Sequence, residues 1–155
     1  MSLKVWLTLC RLCLGAWVGV APFFVVLVVA LRGSDLFTAE TKLNHPRILF
    51  PIFYRFEFAL LGLALGFGLC AWRGGFRRPA LRAALWLLVS ALAIATIDYL
   101  AIYAPLDAML DPAAREPSFR MYHQLSQWVN LSNMLVCTVA AGLAVWPKEA
   151  GDAAG

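Results

Sequence analysis

Charge is what this chain lacks, and the gaps are long. From Leu12 to Leu31, and again from Met121 to Trp146, there is no Asp, Glu, Lys or Arg, and the apolar stretches Pro51–Trp72 and Leu81–Ala104 carry only a few. Charged residues make up 14% of the chain, against roughly 25% in ordinary globular proteins. That is too little polar surface to cover a water-soluble core of this size. The few basic residues flank the apolar runs instead of forming a continuous patch, so the net charge of +4 does not point to nucleic acid. No glycine-rich phosphate loop, H-E-x-x-H zinc pair or soluble-enzyme triad is present, which argues against a nucleotide-driven pump or a hydrolase.

What is there is a set of four apolar segments, each near the length of about 20 residues that a helix needs to cross roughly 30 Å of hydrocarbon. The expected fold is an all-α, four-helix transmembrane bundle in a single domain over residues 1–147, with helices near 5–31, 48–72, 80–104 and 119–146. The first apolar run exceeds the roughly 7–15 residues of a signal-peptide core, so it is expected to remain as a span. In the first loop, Asp35–Leu43 has the composition of a short interfacial helix, and Pro46 and Pro51 suit the start of segment two. Pro79 suits the opening of segment three and Pro105 its end. Ser118 is the expected N-cap of segment four. Residues 148–155 read as a disordered tail.

The basic residues set an orientation. Lys4, Arg11, Arg73, Arg77, Arg78, Arg82 and Lys148 fall on one side, and the turn Arg73–Arg82 holds four arginines and no acid. Arg32, Lys42, Arg47, Arg115 and Arg120 fall on the other, mixed with acids. The positive-inside rule then puts both termini in the cytoplasm and the loops 32–47 and 105–120 outside, in the periplasm if the membrane is a bacterial inner membrane.

Polar residues inside the apolar segments are the candidates for chemistry. His123, Ser126, Asn130, Asn133 and Cys137 follow i, i+3, i+7, i+10, i+14 spacing and share one stripe of segment four. Such a stripe faces other helices, either to fix their register or to line a polar path. Glu57 in segment two and Asp98 in segment three lie at a similar depth. Arg55 and Glu57 point about 200° apart around a helix, so Glu57 is expected inward. Arg55 is expected either to snorkel or to pair with an acid. One reading of these ionisable groups is a structural ion pair; the other is a proton- or cation-handling site of Glu57, Asp98 and His123.

Other residue types offer weaker patterns. Cys10 and Cys13 form a C-x-x-C pair that Cys70 could complete as a thiolate site, or they are simply small apolar residues of a membrane helix. No cysteine falls in an outward loop, which argues against a secretory disulfide framework. His45 and His123 could ligate haem or copper if they met; alone, His45 reads as a solvated loop or capping residue. Arg11 is expected to reach lipid phosphates. Gly15-Ala-Trp-Val-Gly19 and Gly62-Leu-Ala-Leu-Gly66 are G-x-x-x-G motifs for close helix approach, expected within the bundle and otherwise between copies or with a membrane partner. Trp6, Trp72, Trp128 and Trp146, with Tyr54, Tyr99, Tyr103 and Tyr122, read as interfacial anchors.

Short motifs in the same order along the chain carry a family likeness. Phe119-Arg-Met-Tyr-His-Gln-Leu-Ser-Gln-Trp-Val-Asn130 resembles the last-helix motif of the transmembrane-protein-205-like family, a bacterial membrane domain of unknown function. Leu49-Phe-Pro-Ile-Phe-Tyr54, Ala21-Pro-Phe-Phe24 and Ala104-Pro-Leu-Asp-Ala-Met109 resemble its second, first and third helices. The resemblance implies a four-helix integral membrane protein with no established reaction, and singles out His123, Ser126 and Asn130. More remotely, the architecture is similar to copper-resistance D proteins and to the membrane protoporphyrinogen oxidase. That likeness implies copper or haem, although no histidine lies in the first helix. The expected function is binding or passage of a small solute, proton or metal ion. The rivals are a haem- or copper-linked redox protein and a structural subunit of a membrane complex.

Overall fold

The computed structural model describes residues 2–109 and 117–146. It is all-helical, with α1 Leu3–Gly33, α2 Ala39–Arg73, α3 Pro79–Ile97, a π-helical segment Asp98–Tyr103, α4 Ala104–Ala108 and α5 Phe119–Val145. Four helical stretches, Leu3–Gly33, Ala39–Arg73, Pro79–Ala108 and Phe119–Val145, are long and apolar enough to cross a membrane. The tail 148–155 and the loop-three residues Asp111, Arg115 and Glu116 lie outside the described residues.

Each long helix packs on its neighbours in the chain, and α1 closes the ring against α5. The inward stripes follow the helical period. On α1, Leu7, Cys10, Leu14, Trp17 and Ala21 are buried, and on α5, Ser126, Asn133, Cys137, Ala140 and Ala144. Large apolar side chains such as Leu12, Phe23, Val26, Trp86 and Leu135 point outward, an arrangement suited to a lipid surround.

Segment two begins earlier than the prolines suggest. Of the interfacial helix expected over Asp35–Leu43, residues 35–38 form a turn and cap, and 39–43 are instead the start of α2, which runs unbroken through Pro46 and Pro51. The start is set by Thr38, whose hydroxyl accepts the Thr41 N–H at 3.2 Å, a side-chain cap that satisfies one of the free donors of the first turn. Pro105 does not stop segment three either. It lacks the N–H that Ala101 would have received, and its ring crowds that carbonyl. The chain responds with wider turns: Ala104 N–H reaches Tyr99 O, five residues back, and helix resumes to Ala108. Ser118 holds the cap position of α5 without a side-chain cap bond; its hydroxyl lies 3.8 Å from Met109 Sδ.

Close approach uses a glycine outside the motifs. A Cβ on Gly68 would lie 2.7 Å from Leu85 Cδ2 and 3.3 Å from Cys10 Sγ, whereas Gly15, Gly19, Gly62 and Gly66 have nothing within 4 Å. The expected use of both G-x-x-x-G motifs within the bundle is therefore not found; these glycines lie on its outer surface. Arg11 also departs from expectation. Its Nε donates to Ala144 O at 2.8 Å, satisfying one of the carbonyls left free at the C-terminus of α5.

Two outcomes follow for thermal unfolding in detergent. Gly68→Leu lowers stability by about 1–3 kcal/mol through overpacking, while Gly15→Ala and Gly62→Ala are neutral or raise it by up to about 1 kcal/mol. Arg11→Ala lowers it by about 1.5–3 kcal/mol, the range for a hydrogen bond from a charged donor.

Candidate functional site

Three elements meet at two acids. Glu57 on α2 and Asp98 at the head of the π segment are each 1% exposed, and Asn133 on α5 is 2% exposed. Glu57 turns inward because it shares the stripe of Phe53, Tyr54, Leu61 and Ala64, all buried. Arg55 is exposed, as the angular separation requires.

Asp98 Oδ2 accepts two hydrogen bonds, from Tyr54 OH at 2.5 Å and from Asn130 Nδ2 at 2.8 Å. The Asn130 amide also lies 2.9 Å from Ser126 O and 3.2 Å from Ser126 Oγ, which holds it in place along α5. Glu57 Oε1 accepts from Asn133 Nδ2 at 2.7 Å. The remaining polar atoms are unbalanced: Glu57 Oε2, Asp98 Oδ1 and Asn133 Oδ1 are buried without a hydrogen-bond partner. The two carboxyl oxygens are acceptors when the acids are ionised, and the amide oxygen of Asn133 is an acceptor in any case. The cluster thus has more acceptors than donors, and its donors are neutral hydroxyl and amide groups.

That imbalance decides what the site can do. A carboxylate removed from water without a counter-charge is costly, and two together more so. The expected ion pair with Arg55 does not supply the charge, because Arg55 faces outward. Bound protons or a small oxygen-seeking cation would meet both the missing charge and the surplus of acceptors.

The other candidates lie apart from these bonds. His123, half-buried one turn before Ser126, has Nε2 3.3 Å from Gln127 Nε2 and its ring stacked on Phe119 at 6.1 Å. His45 lies within α2 and sets its ring edge-on to Phe37 at 5.0 Å, so it is not a loop residue. Cys10 is buried, Cys13 half-buried and Cys70 exposed; Cys70 does not complete a site with the other two. Among the described residues no three His, Cys, Asp or Glu side chains group as metal ligands.

Tyr54 is the member that sequence reading placed elsewhere. As an aromatic near a segment end it resembles an interfacial anchor, yet it is 2% exposed and Tyr103 is 7% exposed. Its ring lies 5.1 Å from those of Tyr99 and Tyr103, forming an aromatic wall beside the acids. The signal was its position three residues before Glu57, which places both on one helix face. On the α1 side, Trp17, Val18, Ala21, Met134, Cys137 and Thr138 enclose about 10 Å³ of free space. That is close to the minimum for one water molecule, and the buried Trp17 Nε1–H without a partner adjoins it.

If the Asp98 bonds act as a unit, their loss is not additive. Asn130→Ala and Tyr54→Phe each cost about 0.6–2 kcal/mol, and the double variant costs more than their sum because Asp98 loses both donors. Unfolding of the four proteins in detergent measures the coupling, and strict additivity would show that the two bonds are independent.

Comparison of the chain with protein-family models, curated proteins and solved structures gives no match.

Proposed function

We propose that this is a small integral membrane protein that binds a proton or small cation at Glu57 and Asp98 and passes it along the polar face of α5. The observation that carries this reading is the pair of buried acids with unpartnered oxygens and, among the described residues, no counter-charge. Intramembrane acids of this kind mark ion and proton routes. Ser126 lies beside Asn130 at the acids, and the half-buried His123 continues the polar stripe of α5 one turn further, which supports an opening at that end. The arginine-rich turn Arg73–Arg82 supports a cytoplasmic location for both termini. The loops 32–47 and 105–120 would then face the periplasm of a bacterial inner membrane. The resemblance to the transmembrane-protein-205-like family, through His123, Ser126 and Asn130, agrees with this placement of the site. The outward Gly15/Gly19 and Gly62/Gly66 faces are free to meet a second copy or a membrane partner.

A structural reading is favoured by one specific observation: the bonds from Asn133 and Asn130 tie α5 to α2 and to the π segment. The two readings part in Glu57→Gln. This substitution keeps an oxygen to accept from Asn133 but removes the acid. In liposomes loaded with a pH-sensitive or a sodium-sensitive dye, the site reading expects protein-dependent proton or sodium flux that falls at least tenfold in Glu57→Gln and Asp98→Asn, with unfolding temperatures preserved. Flux equal to that of empty liposomes for the unaltered protein, under both proton and sodium gradients, would leave the acids as a packing device.

A further inference from the structure

The turn between α2 and α3 carries a second feature, independent of the acid cluster. Trp72, Arg77, Pro79, Arg82, Ala83 and Trp86 line an open groove of about 560 Å³. Arg78 is engaged elsewhere, its guanidinium 4.6 Å from the centre of the Phe76 ring. Arg77 and Arg82 are exposed, and neither guanidinium has a protein partner among the described residues. The segment 73–82 contains no acid. The positive end of α3 opens at the same turn, where Arg78 makes no side-chain cap bond and Pro79 begins the helix.

The groove is basic at its end and apolar along its length. Arg82, Trp86 and Val89 follow i, i+4, i+7 spacing on the outer face of α3, with Trp86 67% and Val89 44% exposed. A free phosphate has no use for the apolar part, and a plain acyl chain none for the arginines. We propose that this groove binds an anionic phospholipid, with the phosphodiester between Arg77 and Arg82 and an acyl chain along Trp86 and Val89. Guanidinium groups suit such a phosphate because their fork of donors matches its oxygens. Trp72 and Trp86 suit the glycerol level of the interface. A basic pocket between membrane helices is a setting in which acidic headgroups are held.

The test is native mass spectrometry of the full chain in mild detergent, titrated with phosphatidylglycerol or phosphatidylcholine of identical acyl chains. The expected result is at least threefold more adduct with phosphatidylglycerol. This excess disappears in Arg77→Gln/Arg82→Gln and falls in Trp86→Ala. It persists in Arg73→Gln, which removes an exposed arginine of the same turn that does not line the groove. Equal adducts for the two lipids would overturn the proposal. So would an equal loss in Arg73→Gln, which would mean diffuse charge attraction, or displacement of the lipid by equimolar inorganic phosphate, which would mean a site for a soluble anion. Because both arginines are exposed, the double variant is expected to keep its unfolding temperature; a variant that unfolds is replaced by Arg77→Lys/Arg82→Lys. That pair keeps the charge but loses the fork, and the proposal expects it to reduce the phosphatidylglycerol excess.

Discussion

Asp98 draws a hydroxyl hydrogen bond from α2 and an amide hydrogen bond from α5 while standing at the first residue of the π segment. Three parts of the chain are therefore aligned by one carboxyl group. In an apolar interior a polar atom without a partner is penalised far more than a neutral hydrogen bond returns. The positions of Tyr54, Asn130 and Asn133 are consequently constrained by the acids they serve. Elsewhere among the described residues the helices meet through apolar contact and the Arg11–Ala144 hydrogen bond; apolar contact tolerates sliding, and the acid cluster does not.

The backbone around the cluster is built to the same demand. Pro105 deletes a helical bond, and the π turns redistribute the remaining ones so that helix continues to Ala108. The π segment begins at the acid itself, so the irregularity and the polar site occupy the same stretch of chain. Local widening of a helix is often found at functional positions. Here it has a plain backbone cause as well.

Away from the acids, packing relies on small residues. Ala64, Ala71, Ala84, Ala91, Ala140 and Ala144 are all buried, and Gly68 admits Leu85 and Cys10 at distances a larger residue would block. In lipid, helices gain little from hydrophobic burial against one another, so close contact and a few polar bonds carry association. Beside this core, other large side chains of α1 and α3, such as Leu12, Phe23, Val26 and Trp86, lie on the outside. The arginines of the α2–α3 turn and their tryptophans lie at one end of the bundle.

Much of this was legible in the chain. The uncharged runs determine four helices of membrane length, because only a helix satisfies its own backbone in hydrocarbon. The spacing of Ser126, Asn133 and Cys137 determines which face of α5 is buried, and the angle between Arg55 and Glu57 determines that only the acid turns inward. Other features depended on which helix lies against which. Tyr54 becomes a donor to Asp98, 44 residues later in the chain, only because α2 and the π segment are neighbours. His123 stays with Gln127 and Phe119, although it lies on the same side of α5 as the asparagines. Pro46 and Pro51 were misleading because a helix supported by its neighbours tolerates a missing bond that would end an isolated one. Gly68 outranks the two glycine motifs for a similar reason. A motif shows that close approach is allowed on one face; only the tertiary structure decides which face has a neighbour to approach.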